Sequence, residues 1–192
     1  MRQADGTLKL SGKCTETCQY YAFFMHTATP ETHPALWKTL VEDFGPQRRE
    51  TKKHPEIYPA NAFIGNYLRL DLLGRAGLGR QILRETKGYF KYMADRTGTL
   101  WENDTPHASC NHGFASHAAV FYVRDVLGVK RVDVRAKTVT LADTDADVAF
   151  CEATLPVPGG ELVVARRLVK GRPVHTYRLP KGWRAVMCVR FT

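Results

Sequence analysis

The densest group of chemically capable side chains lies between Thr97 and His117. It reads Thr-Gly-Thr-Leu-Trp-Glu-Asn-Asp, then Thr-Pro-His-Ala-Ser-Cys-Asn-His-Gly-Phe-Ala-Ser-His. Trp101 stands beside the carboxylate of Glu102, and Asn111 and His112 open a helical pattern. An indole face can cover the apolar face of a sugar ring, while carboxylate, amide and imidazole can bond its hydroxyls. The combination points to chemistry on a polyhydroxylated substrate. A plainer reading stands beside it: Trp101 as a packed indole, Glu102 as a solvated charge and Asn111 as a helix cap. His107, Cys110, His112 and His117 share the stretch, but their spacing matches no compact zinc pattern. The sequence implies no metal and no cofactor.

A second polar run covers residues 46–58, Pro-Gln-Arg-Arg-Glu-Thr-Lys-Lys-His-Pro-Glu-Ile-Tyr, and is predicted as a loop. It leads into Glu56, Tyr58 and Asn61, just ahead of another helical pattern. These groups are candidates for a second wall of a substrate cleft. A solvated loop with a helix cap is the alternative.

The elements that must position these residues are legible from periodicity. Cys18, Tyr21, Ala22, Met25 and Ala28 fall at helical spacing from Thr15 onward, and Pro30 closes that helix. Thr32 is placed to cap a second helix with Pro34 in its first turn. Leu36, Trp37, Leu40, Val41 and Phe44 form its apolar face, and Gly45-Pro46 stops it. Further helices are predicted over about 60–76, 78–95 and 112–127, the last ended by Gly128. Beyond Gly128 the period alternates. Strands are predicted at Val132 to Val134, Val139 to Leu141, Val148 to Thr154, Glu161 to Leu168, Val174 to Leu179 and Ala185 to Phe191, with a turn at 156–160. The fold class is α+β, with a helical unit over 1–128 and an antiparallel β-sandwich-like unit over 129–192.

The composition narrows the partners. The chain has 192 residues and a formal net charge of +9. Its basic residues are dispersed and form no run longer than short pairs such as Arg48-Arg49, Lys52-Lys53 and Arg166-Arg167. These are read as solvated surface, which ranks nucleic acid last among the readings, and no nucleic-acid partner is expected. No apolar run is long enough for a membrane span, and the N-terminus lacks the apolar core of a signal peptide. The expected location of the chain as written is the cytoplasm. Its five cysteines, Cys14, Cys18, Cys110, Cys151 and Cys188, are odd in number and scattered, and are expected to be buried free thiols.

Taken together, these residues resemble a known family. Helical hairpins lead to Gly-Thr-Leu-Trp-Glu at 98–102 and Ser-Cys-Asn-His-Gly-Phe-Ala-Ser at 109–116. A helix then ends in Leu-Gly-Val at 127–129, and a β tail carries Pro-Gly-Gly at 158–160. This is similar to the C-terminal end of bacterial α-L-rhamnosidases of the glycoside hydrolase family 78 type. The resemblance runs from about Gly12 onward and is most specific over 97–128. It implies part of a barrel of six helical hairpins, an (α/α)6 barrel, followed by a small β-sandwich. It implies inverting hydrolysis of terminal α-L-rhamnosyl residues, with a rhamnose-containing glycoside as partner. Glu102 takes the place of the general base, Trp101 lies in the cleft wall and His112 contacts the sugar. Asn111 is expected to donate to the base or the sugar. Tyr58 and Asn61 rest on position alone and not on the resemblance.

The chain departs from the family pattern in one respect. The family's general acid lies in an acidic stretch that this sequence lacks, and about five helices are predicted against the twelve of a six-hairpin barrel. A truncated reading frame, a fragment or a degenerate remnant would each explain this. Inversion needs an acid and a base roughly 6.5–9.5 Å apart, so little turnover is expected from the chain alone. Hairpins built to close a ring leave apolar flanks when the ring is open, which predicts self-association. Two other readings are a non-catalytic carbohydrate-binding or structural module, and a six-hairpin glycosidase for another sugar.

Overall fold

A computed structural model of the chain describes residues 14–60 and 63–188. Asn61, one of the candidate site residues, lies outside the described residues, as does Phe191. The chain is α+β, with helices first and strands last. In order come β1 (Cys14–Thr15), α1 (Glu16–Phe24), α2 (Pro34–Glu42), α3 (Arg48–Thr51) and β2 (Ile57–Tyr58). Then follow α4 (Phe63–Arg75), α5 (Gly79–Thr97) and α6. The last is one helical run in three hydrogen-bonding patterns: 3-10 at Gly113–Ser116, α at His117–Phe121 and π at Tyr122–Leu127. Six strands complete the chain: β3 (Val129–Asp133), β4 (Thr138–Ala142), β5 (Phe150–Val157), β6 (Gly160–Val169), β7 (Arg172–Arg178) and β8 (Arg184–Cys188).

Helix α1 begins where Thr15 caps it, its hydroxyl accepting from the Cys18 amide at 3.1 Å. The face it buries is not the predicted one. Glu16, Tyr20 and Phe23 are inward, whereas Cys18, Tyr21 and Met25 are exposed. The reason is an ion pair that hydrophobic spacing does not register. Glu16, fully buried, takes Arg48 Nη1 at 2.5 Å, the Tyr20 hydroxyl at 2.9 Å and the Ala60 amide at 3.0 Å. One carboxylate thus ties α1 to α3 and to the approach to α4. The predicted loop 46–58 is therefore partly helical, and Arg48 is one of its anchors. Beneath it Tyr20, Phe23, Leu40, Phe44, Leu68 and Leu72 form one apolar core.

Arg69 on α4 makes the second internal tie. Its Nε and Nη2 donate to the two oxygens of Glu85 on α5 at 2.6 and 2.7 Å, and Nη1 donates to the Leu40 carbonyl at 2.6 Å. A bidentate pair of this kind is directional as well as strong. It also explains Gly45, which has φ +96° and would place a Cβ 2.5 Å from Arg69 Nε. Any side chain there would displace the guanidinium. The core beside this tie joins Leu70, Leu73, Ile82, Phe90, Met93, Trp101 and Phe121.

The strands form two three-stranded sheets, β3-β4-β8 and β5-β6-β7. Their facing sides bury Val129, Val139, Leu141, Leu162 and Val164, with Trp183 at one end. The sandwich was predicted antiparallel, and one pair corrects that: β4 and β8 run parallel, with Thr138 opposite Arg184. The chain leaves β7 at the edge of one sheet and crosses to the other beside the start of β4, where Arg184 donates to the Lys137 carbonyl at 3.0 Å. A crossing, unlike a hairpin, permits a parallel neighbour. Gly128, at φ +94°, turns the chain from α6 into β3 so tightly that a Cβ would meet the Ala142 carbonyl oxygen at 2.2 Å. Among the described residues no helix is long and apolar enough to cross a membrane. No disulfide forms among the described residues, and none of the five cysteines is fully buried as expected: Cys14 and Cys18 are exposed, and Cys110, Cys151 and Cys188 are partly buried.

Candidate functional site

The stretch after α5 folds back on itself. Gly98, in the left-handed conformation at φ +70°, ends the helix. Two limbs then pair: the His112 amide donates to the Leu100 carbonyl at 2.9 Å, and the Glu102 amide donates to the Ser109 carbonyl at 2.9 Å. The tip between them is an Asx turn, with Asn103 Oδ1 accepting from the amide and hydroxyl of Thr105 at 2.9 and 2.8 Å. The Phe63 amide, at the start of α4, donates to the Glu102 carbonyl at 3.0 Å. The backbone of Glu102 is therefore fixed on both sides, and the loop is pinned across the first turn of α4 and ahead of α6.

The candidate residues fare differently within this frame. The Glu102 side chain is partly buried, and its only hydrogen bond among the described residues is a long one from the Ser109 amide, 3.4 Å. It forms no ion pair among the described residues. It does not line the cavity described below. Trp101, expected in the cleft wall, is 2 % exposed and sits in the helical core. Its indole N–H donates to Thr97 Oγ1 at 2.7 Å, and Tyr92 packs on it edge-on. An indole enclosed in this way presents no face to solvent. Alternation explains it: with the Glu102 backbone fixed between Phe63 and Ser109, its neighbour points to the opposite side, into the core.

His112 stacks on Phe63 with ring centroids 4.7 Å apart, and Phe63 stacks in turn on Phe114 at 5.2 Å. His112 Nε2 is buried and has no hydrogen-bond partner among the described residues. Asn111 is exposed and is not the cap of α6, a place taken by His112 without a side-chain bond. Tyr58 is 57 % exposed on β2, away from Glu102's contacts. His117 lies one turn into α6 and bonds the Phe114 carbonyl through Nδ1 at 2.7 Å. Burial lowers its pKa, partly opposed by that carbonyl. Among the described residues no three His, Cys, Asp or Glu side chains gather as a metal site.

A cavity of about 300 Å³ lies next to this loop, between α3, β2 and the tip of the 97–117 stretch. Arg48, Arg49, Lys52 and Lys53 line it together with Asp104, Asn66 and Tyr89. Arg49 pairs with Asp104, so the loop carrying Glu102 is tethered to α3. Burial, with Asp104 nearby, raises the Tyr89 phenol well above its usual range and keeps it protonated. The sequence showed the paired basic residues, but spacing alone left them as surface. Arg48 is 7 % exposed, and Arg49 and Asp104, which meet at this cavity, are 55 residues apart in sequence.

Among comparisons with known proteins, no family model and no curated protein matches the chain. Among solved structures it is similar to the crystal structure of a GH78 family rhamnosidase of Bacillus sp. GL1. The TM-score is 0.77 at 19 % sequence identity, over 98 % of this chain and 20 % of that one. The chain thus spans about a fifth of that enzyme's length. Helices, the pinned loop and the paired sheets together have the fold of a portion of a GH78 rhamnosidase.

Proposed function

We propose that the chain is part of a glycosidase of the α-L-rhamnosidase type, with Glu102 as the general base. The observation that carries the reading is the setting of Glu102. Its backbone is clamped by Phe63 and Ser109, and its carboxylate has no cation among the described residues. A base must be held still, must not be spent on a counter-ion, and must have a lone pair to offer a water. His112 supports the reading in a second way. A buried ring nitrogen without a partner is a group that a sugar hydroxyl can satisfy. Trp101 serves in this account as a positioning residue, and Asn111 and Tyr58 are outer contacts at most. The helical portion, residues 1–128, belongs to a six-hairpin barrel, and residues 129–192 form its companion β unit. Asp104 is engaged by Arg49 and is not proposed as the acid.

The partner is carbohydrate, with a terminal α-L-rhamnosyl residue as the first candidate. Calorimetric titration of the chain with L-rhamnose tests this directly. Saturable heat that is lost in His112→Ala supports the reading. A non-catalytic carbohydrate-binding module is the second reading, favoured by the lack of an identified acid. It predicts the same heat, but no turnover even when the rest of a barrel is supplied.

Self-association belongs to the same proposal. Tyr21, Phe24, Phe63, Ile64, Tyr67, Phe114 and His117 line an open groove of about 430 Å³ along α1, α4 and α6. Light scattering is expected to show dimers or larger species. A monodisperse monomer that binds no dye for exposed apolar surface would count against a partial barrel.

A further inference from the structure

The cavity between α3 and the tip of the 97–117 loop has a charge pattern that the glycosidase reading does not use. Four cations line it: Arg48, Arg49, Lys52 and Lys53. Three have a carboxylate of their own. Arg48 is on Glu16, Arg49 on Asp104 and Lys53 on Asp43. Lys52 has no ion pair among the described residues. The cavity is therefore one negative charge short of balance, and the unmatched cation is on its wall.

The rest of the lining is equally specific. Asn66, 7 % exposed, and Tyr89 are hydrogen-bonded to each other and form a neutral polar wall. Pro46, Pro55, Ile57, Pro59 and Ala60 supply apolar walls. The Arg49 guanidinium lies 5.4 Å from the Tyr89 ring centroid and 5.9 Å from that of Tyr92, so aromatic contact holds it in place as well as Asp104 does. Arg48 is fully committed, bonding Glu16 and the carbonyls of Lys53, His54 and Ile57. Lys52, which has no carboxylate among the described residues, and Arg49, whose Nη2 is the nitrogen on Asp104, are able to meet a ligand.

We infer that this cavity binds a sugar-sized ligand carrying a single anionic group, held by Lys52 and Arg49 with its hydroxyls toward Asn66 and Tyr89. About 300 Å³ is at the low end of the usual range for small-molecule sites and holds one ring rather than a chain of them. The planar fork of Arg49 favours a carboxylate, and the point charge of Lys52 accepts a carboxylate or a phosphate. The inference does not depend on Glu102 acting as a base, because it concerns binding and not turnover.

The test is calorimetric titration of the chain with three probes: D-glucuronate, glucose 1-phosphate and D-glucose. One or both anionic sugars should bind saturably, and which one binds tells carboxylate from phosphate. D-Glucose should bind at least about tenfold more weakly, and the anion's affinity should fall as salt is raised. Lys52→Gln, at an exposed position, should weaken the anionic probe about tenfold or more and leave circular dichroism unchanged. Arg49→Gln should do the same, with Glu102→Gln as a control that leaves this binding intact. Absence of saturable binding by both acids, equal binding of D-glucose, or full affinity in Lys52→Gln would each overturn the assignment.

Discussion

The helical and strand portions of the molecule solve burial in opposite ways. The helices enclose whole ion pairs. Glu16 with Arg48 and Arg69 with Glu85 are all under 8 % exposed, and each pair joins segments distant in sequence. The sheets enclose Val139, Leu141, Leu162 and Val164. Among the described residues their one fully buried charge, Arg166, donates to the carbonyls of Thr144, Ala146 and Val148 and not to an acid. A sheet fixes its own register through the backbone ladder, so its core can be apolar. Helices α1, α3, α4 and α5 have no ladder between them. Directional charge pairs fix how they meet, and the cavity and the pinned loop inherit that geometry.

Removing one member of a buried pair breaks this contrast most severely. Arg69→Met strands Glu85 and should cost about 3–5 kcal/mol in chemical denaturation. Adding Glu85→Leu should restore most of the loss, because a paired apolar replacement strands nothing. If the double variant is as unstable as the single, the charges do more than satisfy each other. In the sheets, Leu141→Ala should cost about 2–5 kcal/mol through lost burial and a cavity, read from the same denaturation midpoint. Arg166→Met should cost less, about 1–3 kcal/mol, because it removes donors from three carbonyls without leaving an unpaired charge.

The smallest effect is a pH dependence. Burial depresses the His117 pKa below its ordinary 6.5, so the unfolded chain binds a proton more readily than the folded one. Its contribution to stability is present above about pH 6.5 and is lost as pH falls from there toward the folded value. Denaturation midpoints measured from pH 7.5 to 5 should fall for the wild type and fall less for His117→Gln. Equal slopes would remove His117 as the cause.

The sequence carried much of the framework and less of the interior. Helices α2, α4 and α5 and all six strands of the tail followed from periodicity and from stops such as Gly45, Gly98 and Gly128. The buried face of α1 did not, because Glu16 faces inward and a hydrophobic pattern does not count a carboxylate as core. Helix α3 was hidden for the same reason, since its four residues, Arg-Arg-Glu-Thr, are all polar. The parallel pairing of β4 and β8 depends on where a crossing loop arrives, which no local pattern records. For the candidate site, the Trp-Glu and Asn-His signals marked the loop between α5 and α6. They could not show that Trp101 turns into the core, nor that Arg49 and Lys52 from another segment stand beside Asp104.

The central claim is that Glu102 is poised as a base, and supplying the remaining barrel tests it most directly. In a folded, monodisperse chimera, this chain replaces the matching portion of the GH78 rhamnosidase, and turnover of an aryl α-L-rhamnoside is followed. The account predicts measurable hydrolysis that falls by about 10²- to 10⁴-fold in Glu102→Gln, with circular dichroism unchanged. Hydrolysis that is unchanged in Glu102→Gln would contradict it.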